Sequence, residues 1–113
     1  MAGPIHEGTT EVNMKLEIRW KGTERSEALA EHVRRRLPFA LGRFAGRVRR
    51  VVVRLEDTNG PKGGIDKRCS VQTIGALGGA VIETRDADFV AAVDRAFALC
   101  GRAVARASRW RRG

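Results

Sequence analysis

Four arginines, Arg95, Arg102, Arg106 and Arg109, recur on one side of the last helix that this sequence encodes. A guanidinium stays charged at every physiological pH, and its planar fork matches two phosphate oxygens at once. Spread over roughly 20 Å of helix at 1.5 Å per residue, such a row is suited to holding a polyanion. Almost no carboxylate interrupts it after Asp94. An ordinary solvated face mixes both signs, and this one does not. At about 100° per residue the opposite arc collects Phe89, Val93, Phe97, Cys100 and Val104, an apolar stripe built to dock on a core.

An earlier helix repeats the design. From Glu27 to about Phe44, the residues Leu29, Val33, Leu37, Leu41 and Phe44 recur at helical spacing, with His32, Arg35, Arg36 and Arg43 on the far side. Ser26 is a good N-cap for it. Pro38 lacks the amide that would bond the Arg34 carbonyl, so it is expected to kink the helix or end its regular part. Phe39 then projects near the basic face.

Other chemistries are poorly supported. Lys62-Gly63-Gly64 precedes a strand and lacks the Walker spacing, so it reads as a connector that could bring Lys62 and Lys67 to RNA. Lys67 and Arg68 fit equally well as ion-pair partners of Asp57 or Asp66. His32 has no serine, cysteine or carboxylate pair spaced to make it a catalytic base. Asp88 is best explained as the N-cap of the last helix. No enzyme, no catalytic residue and no small-molecule substrate are expected. Cys69 and Cys100 lie in apolar patterns as small core residues, with a disulfide between them left open. Together with His6 and His32 they offer no metal-ligand spacing, and no cofactor is implied. Trp20 is expected to anchor the first strand in the core. Trp110, between Arg109 and Arg111, could stack on a base or pack back on the domain, and packing is the preferred expectation.

The composition agrees with a basic binding domain. The 113 residues carry 22 Lys and Arg against 13 Asp and Glu, a formal net charge of +9, and 42% of them are hydrophobic. That length supports one domain with one core, and that charge favours nucleic acid or another anionic partner. No apolar run approaches a bilayer span. Residues 1–13 show no apolar h-region, so a cytoplasmic location is expected without a membrane partner.

Between the arginine-bearing helices lie the segments that must position them. Residues 1–13 read as a flexible N-terminal extension, 14–109 as the binding domain and 110–113 as a basic tail. Lys15–Trp20 alternates with Leu16, Ile18 and Trp20 on one face, as a half-buried strand does. Val51, Val53 and Leu55 mark a second strand, Cys69, Val71 and Thr73 a third, and Ala80, Ile82 and Thr84 a fourth. The order β-α-β-β-β-α gives an α+β fold, with a parallel first crossover and an antiparallel meander after it. Both helices are apolar on one face only, so both must cover the same side of a four-stranded mixed sheet. Their basic stripes then point away from it, side by side. The other sheet face carries Lys15, Glu17, Arg19, Arg54, Glu56, Arg68, Gln72, Glu83 and Arg85, a solvated surface of mixed sign.

Two segments resemble a known family. Val48–Arg54 with Leu55-Glu56-Asp57, followed by Asn59-Gly60-Pro61-Lys62-Gly63-Gly64-Ile65-Asp66-Lys67-Arg68-Cys69, is similar to proteobacterial members of the ribosome hibernation-promoting factor family. That family includes ribosome-associated inhibitor A and was once labelled a sigma-54 modulation family. Asp88-Phe89-Val90-Ala91-Ala92-Val93-Asp94 resembles the segment that opens its last helix. The resemblance implies a fold related to the double-stranded-RNA-binding domain. It also implies binding to ribosomal RNA of the small ribosomal subunit and inhibition of translation under stress. Carried over, the RNA-binding role falls on Arg35, Arg36 and Arg43 and on Arg95, Arg102, Arg106 and Arg109. Pro38-Phe39 departs from the family's uninterrupted helix, and the long members' C-terminal dimerisation domain is not expected here. If six arginines each neutralise a phosphate, log affinity falls by roughly 4 to 5 per tenfold rise in salt. The alternatives are a structured-RNA binder that does not act on ribosomes and a protein-interaction regulator of a sigma factor. The latter requires an apolar patch larger than Phe39, Val52, Ile74 and Val81 supply.

Overall fold

A computed structural model describes residues 5–9, 13–58 and 64–110. Its strands are β1 (Ile5–Thr9), β2 (Lys15–Lys21), β3 (Val48–Asp57), β4 (Lys67–Gly75) and β5 (Ala80–Asp86). Helix α1 spans Glu27–Leu41 and helix α2 spans Phe89–Trp110. The sheet order is β1-β2-β3-β4-β5. Strands β2 and β3 run parallel, with Leu16 beside Val51 and Trp20 beside Leu55, and every other neighbouring pair is antiparallel. The expected β-α-β-β-β-α body with its mixed sheet of four strands is therefore present, with one strand added.

That addition corrects the reading of residues 1–13. Ile5–Thr9, expected within a flexible extension, pairs along β2 from Ile5 beside Arg19 to Thr9 beside Lys15. An edge strand is held by backbone hydrogen bonds and needs no buried face of its own. Hydrophobic periodicity is therefore silent about it.

One core lies between the sheet and both helices. Leu16, Ile18 and Trp20 of β2, Val51, Val53 and Leu55 of β3, and Cys69 and Val71 of β4 meet Leu29, Val33, Leu37 and Leu41 of α1 and Val93, Phe97, Cys100 and Val104 of α2. Alternation in the strands and 3.6-residue spacing in the helices aim these side chains at the same space. A further tie runs from sheet to helix, where the buried Thr84 hydroxyl donates to the Ala92 carbonyl at 2.7 Å.

The helix starts follow from local chemistry. Ser26 Oγ accepts from the Leu29 amide at 3.1 Å, and Asp88 Oδ1 accepts from the Val90 amide at 3.2 Å, as N-caps do. Pro38 does not stop α1, which runs on to Leu41 and passes into a short 3-10 turn, Gly42–Phe44. The ring sits on the partly exposed side of a helix whose other side is held by Leu37 and Leu41, both fully buried. Core packing thus outweighs the one amide lost.

Candidate nucleic-acid interface

The two helices touch closely at a single glycine. A Cβ on Gly101 would lie 3.0 Å from the Ala40 carbonyl oxygen, so α2 passes α1 closely enough that a side chain here would be tight against the Ala40 backbone. Hollows lie between the helices at this crossing and beyond it toward the end of α2. One hollow is lined by Arg36, Phe39, Ala40, Arg43, Gly101 and Arg102. The next, toward the end of α2, is lined by Arg43, Phe44, Arg47, Ala105, Ser108 and Arg109. Five arginines therefore follow one interhelical channel, Arg43 being common to both hollows.

Their partners grade along the channel. Arg36 is paired, with its Nε 3.4 Å from Asp94 Oδ1, and the same carboxylate oxygen lies 2.6 Å from His32 Nε2. Arg47 donates to Ser108 Oγ at 2.6 Å, a neutral partner that leaves its charge unopposed. Arg43 lies over the Phe44 ring at 4.9 Å, a cation–π contact that fixes the head without neutralising it. Arg43, Arg102 and Arg109 are exposed, and none has a carboxylate partner among the described residues. A row of unneutralised guanidinium groups in a channel with low-dielectric walls concentrates positive potential there.

The structure divides the other expected contacts. Arg35 is exposed on the solvent side of α1, outside both hollows. Arg106 is likewise exposed and outside them. Arg95 turns the other way, donating to the Arg85 carbonyl at 2.8 Å and to Asp86 at 3.3 Å, so it fastens α2 to β5. The four-arginine stripe is thus broader than one surface. Arg102 and Arg109 lean toward α1, while Arg95 leans toward the sheet. Lys67 is occupied as well, with its Nζ 3.0 Å from both Asp57 and Asp66. Hydrogen bonds from Lys67 to Asp57, then to Asp66, raise its pKa above the ordinary lysine value. Of the two readings open for Lys67, the ion pair is the one formed. Lys62 lies outside the described residues.

Arg47 was not among the expected residues. It sits just before β3, where no period marks it, and its four-residue spacing from Arg43 was the available signal. Trp110 contradicts the packing expectation, being 88% exposed at the end of α2. Cys69 and Cys100 are free and buried. Burial pushes their thiols up to about 12 and about 11, far from the thiolate a nucleophile needs.

A small α+β body whose helix pair frames an arginine channel is the class that fold and site define. The chain belongs to the family described as Sigma 54 modulation protein / S30EA ribosomal protein, whose model matches residues 16–112. Among solved structures it is similar to the Protein Y N-terminal domain of Thermus thermophilus, at 26% identity and a TM-score of 0.62, over 85% of this chain and 94% of that one. It also shares its fold with a ribosomal subunit interface protein from Coxiella burnetii, at 12% identity and a TM-score of 0.66, over 81% and 97% of the two chains. No curated protein sequence matches it.

Proposed function

We propose that this protein is a ribosome-associated factor that binds the small subunit through ribosomal RNA, with the α1–α2 channel against phosphates, and thereby inhibits translation. Membership in a ribosomal protein family and a fold shared with a subunit interface protein support the ribosome as partner. The observation that carries the mode of binding is the channel itself. Arg43, Arg47, Arg102 and Arg109 face it without a carboxylate partner among the described residues. Blocking a fixed RNA-walled site requires charge neutralisation and shape, with no bond made or broken.

Sedimentation through sucrose gradients tests this reading. The protein should travel with small subunits at low salt and leave them as salt rises, since each phosphate contact releases counterions. The same concentrations should inhibit translation in a reconstituted system. Salt-independent association, or migration with the large subunit alone, would refute the proposal.

A further inference from the structure

Phosphate binding gives no role to Phe39. Its ring is 80% exposed, on the wall of the same hollow that holds Arg36, Arg43 and Arg102. No other exposed large hydrophobic lines that hollow. A phenyl group left in water among cations contributes nothing to the core. The Arg36 guanidinium lies over the ring, 4.9 Å from its centroid. Asp94 Oδ1 stands 3.4 Å from the Arg36 Nε as an ion pair without a hydrogen bond, and the same oxygen lies 2.6 Å from His32 Nε2. Among the described residues, the one carboxylate within ion-pair distance of a channel arginine therefore stands beside the arginine that lies over Phe39. Neutralised in this way, Arg36 is a poor phosphate ligand and a good layer in a stack.

The ring keeps its high exposure even with Arg36 against one face, so its other face meets solvent. A nucleobase fits that face, because every base presents a π-surface and stacking is tolerant of sequence. Arg43 and Arg102, in the same hollow, are placed to take the phosphates on either side. Bases of an RNA duplex are already stacked on one another and are not offered to a protein surface.

We infer that the channel binds single-stranded RNA, with one unpaired base stacked on a Phe39–Arg36 platform and its flanking phosphates on Arg43 and Arg102. This rests on the RNA-binding reading of the channel and adds to it the kind of nucleotide that is held.

Fluorescence anisotropy with a fluorescein-labelled oligoadenylate and with an RNA duplex of equal length separates the possibilities. Phe39→Ala should weaken single-strand binding roughly tenfold, leave duplex binding unchanged and leave the salt slope unchanged. Phe39→Trp should restore the affinity and Phe39→Leu should not. Val81→Ala, at an exposed apolar residue of the opposite sheet face, is the control and should change nothing. Equal losses for both RNAs, no loss, or rescue by leucine would each overturn the platform. Loss of ribosome co-sedimentation with oligonucleotide binding intact would place Phe39 against a ribosomal protein, and would overturn it too. The channel reading fails separately, if reversing Arg43 and Arg102 to glutamate leaves oligonucleotide affinity as it was.

Discussion

The two faces of this molecule carry similar numbers of arginines and use them in opposite ways. On the outer face of the sheet, Glu17 binds Arg19 and lies 3.5 Å from Arg50. Glu56 lies between Lys21 at 3.6 Å and Arg68 at 3.5 Å, and Glu83 lies 3.6 Å from Arg68. Arg54 donates to Gln72 at 3.1 Å. Cross-strand neighbours of opposite sign stand opposite one another in register, as Glu56 and Arg68 do, and this arrangement satisfies both. Among the described residues, Asp94 is the one carboxylate within ion-pair distance of a channel arginine. Total charge therefore says little about where an anion would bind. The distribution of carboxylates among the arginines decides it.

The largest expected effect comes from reversing the unpaired face. Arg43→Glu with Arg102→Glu removes two charge-assisted contacts and adds two repulsive ones, which should weaken small-subunit binding by at least roughly a hundredfold. Both side chains are exposed, so the far-ultraviolet circular dichroism should stay unchanged. The matched reversal Arg35→Glu with Arg106→Glu, at two exposed arginines outside the channel, acts only through screened long-range potential. Filter binding should show a loss of about three- to tenfold. Equal losses from the two pairs would erase the distinction between channel and flank.

Next in size is the helix crossing. Gly101→Val forces a side chain against the Ala40 carbonyl and should cost about 1–3 kcal/mol in urea unfolding. RNA affinity should fall with it, since Arg102 and Arg43 would move apart. The smallest expected effect is a gain. Glu56→Gln with Glu83→Gln frees Lys21, Arg68 and Arg85 on the sheet, and should raise non-specific RNA affinity about two- to threefold at low salt. Lys67→Met completes the contrast. It leaves the buried Asp66 carboxylate without its cation and should lower the melting temperature while leaving RNA affinity unchanged.

The sequence made the amphipathic elements legible, because burial on one face imposes a period. Strands β2 to β5, both helices, the Ser26 and Asp88 caps and the buried Trp20 all follow from such patterns. Strand β1 did not, since backbone hydrogen bonds can hold an edge strand whatever the period of its side chains. Helix geometry also reveals which residues leave the core, but not which neighbour they then meet. Arg95 and Arg102 are close in phase on the wheel, yet β5 takes one and the channel keeps the other. Arg36 reads as a free cation until Asp94, from a different helix, is placed beside it. Gly101 carries no visible purpose in a one-dimensional pattern, because its role exists only where α1 crosses α2.

A cryo-electron map of the protein bound to small subunits tests the central claim most directly. Density for ribosomal RNA should fill the channel between Arg43 and Arg102, with the outer face of the sheet turned away from it. RNA packed on the Glu17–Glu56–Glu83 face, with the channel open to solvent, would contradict the account.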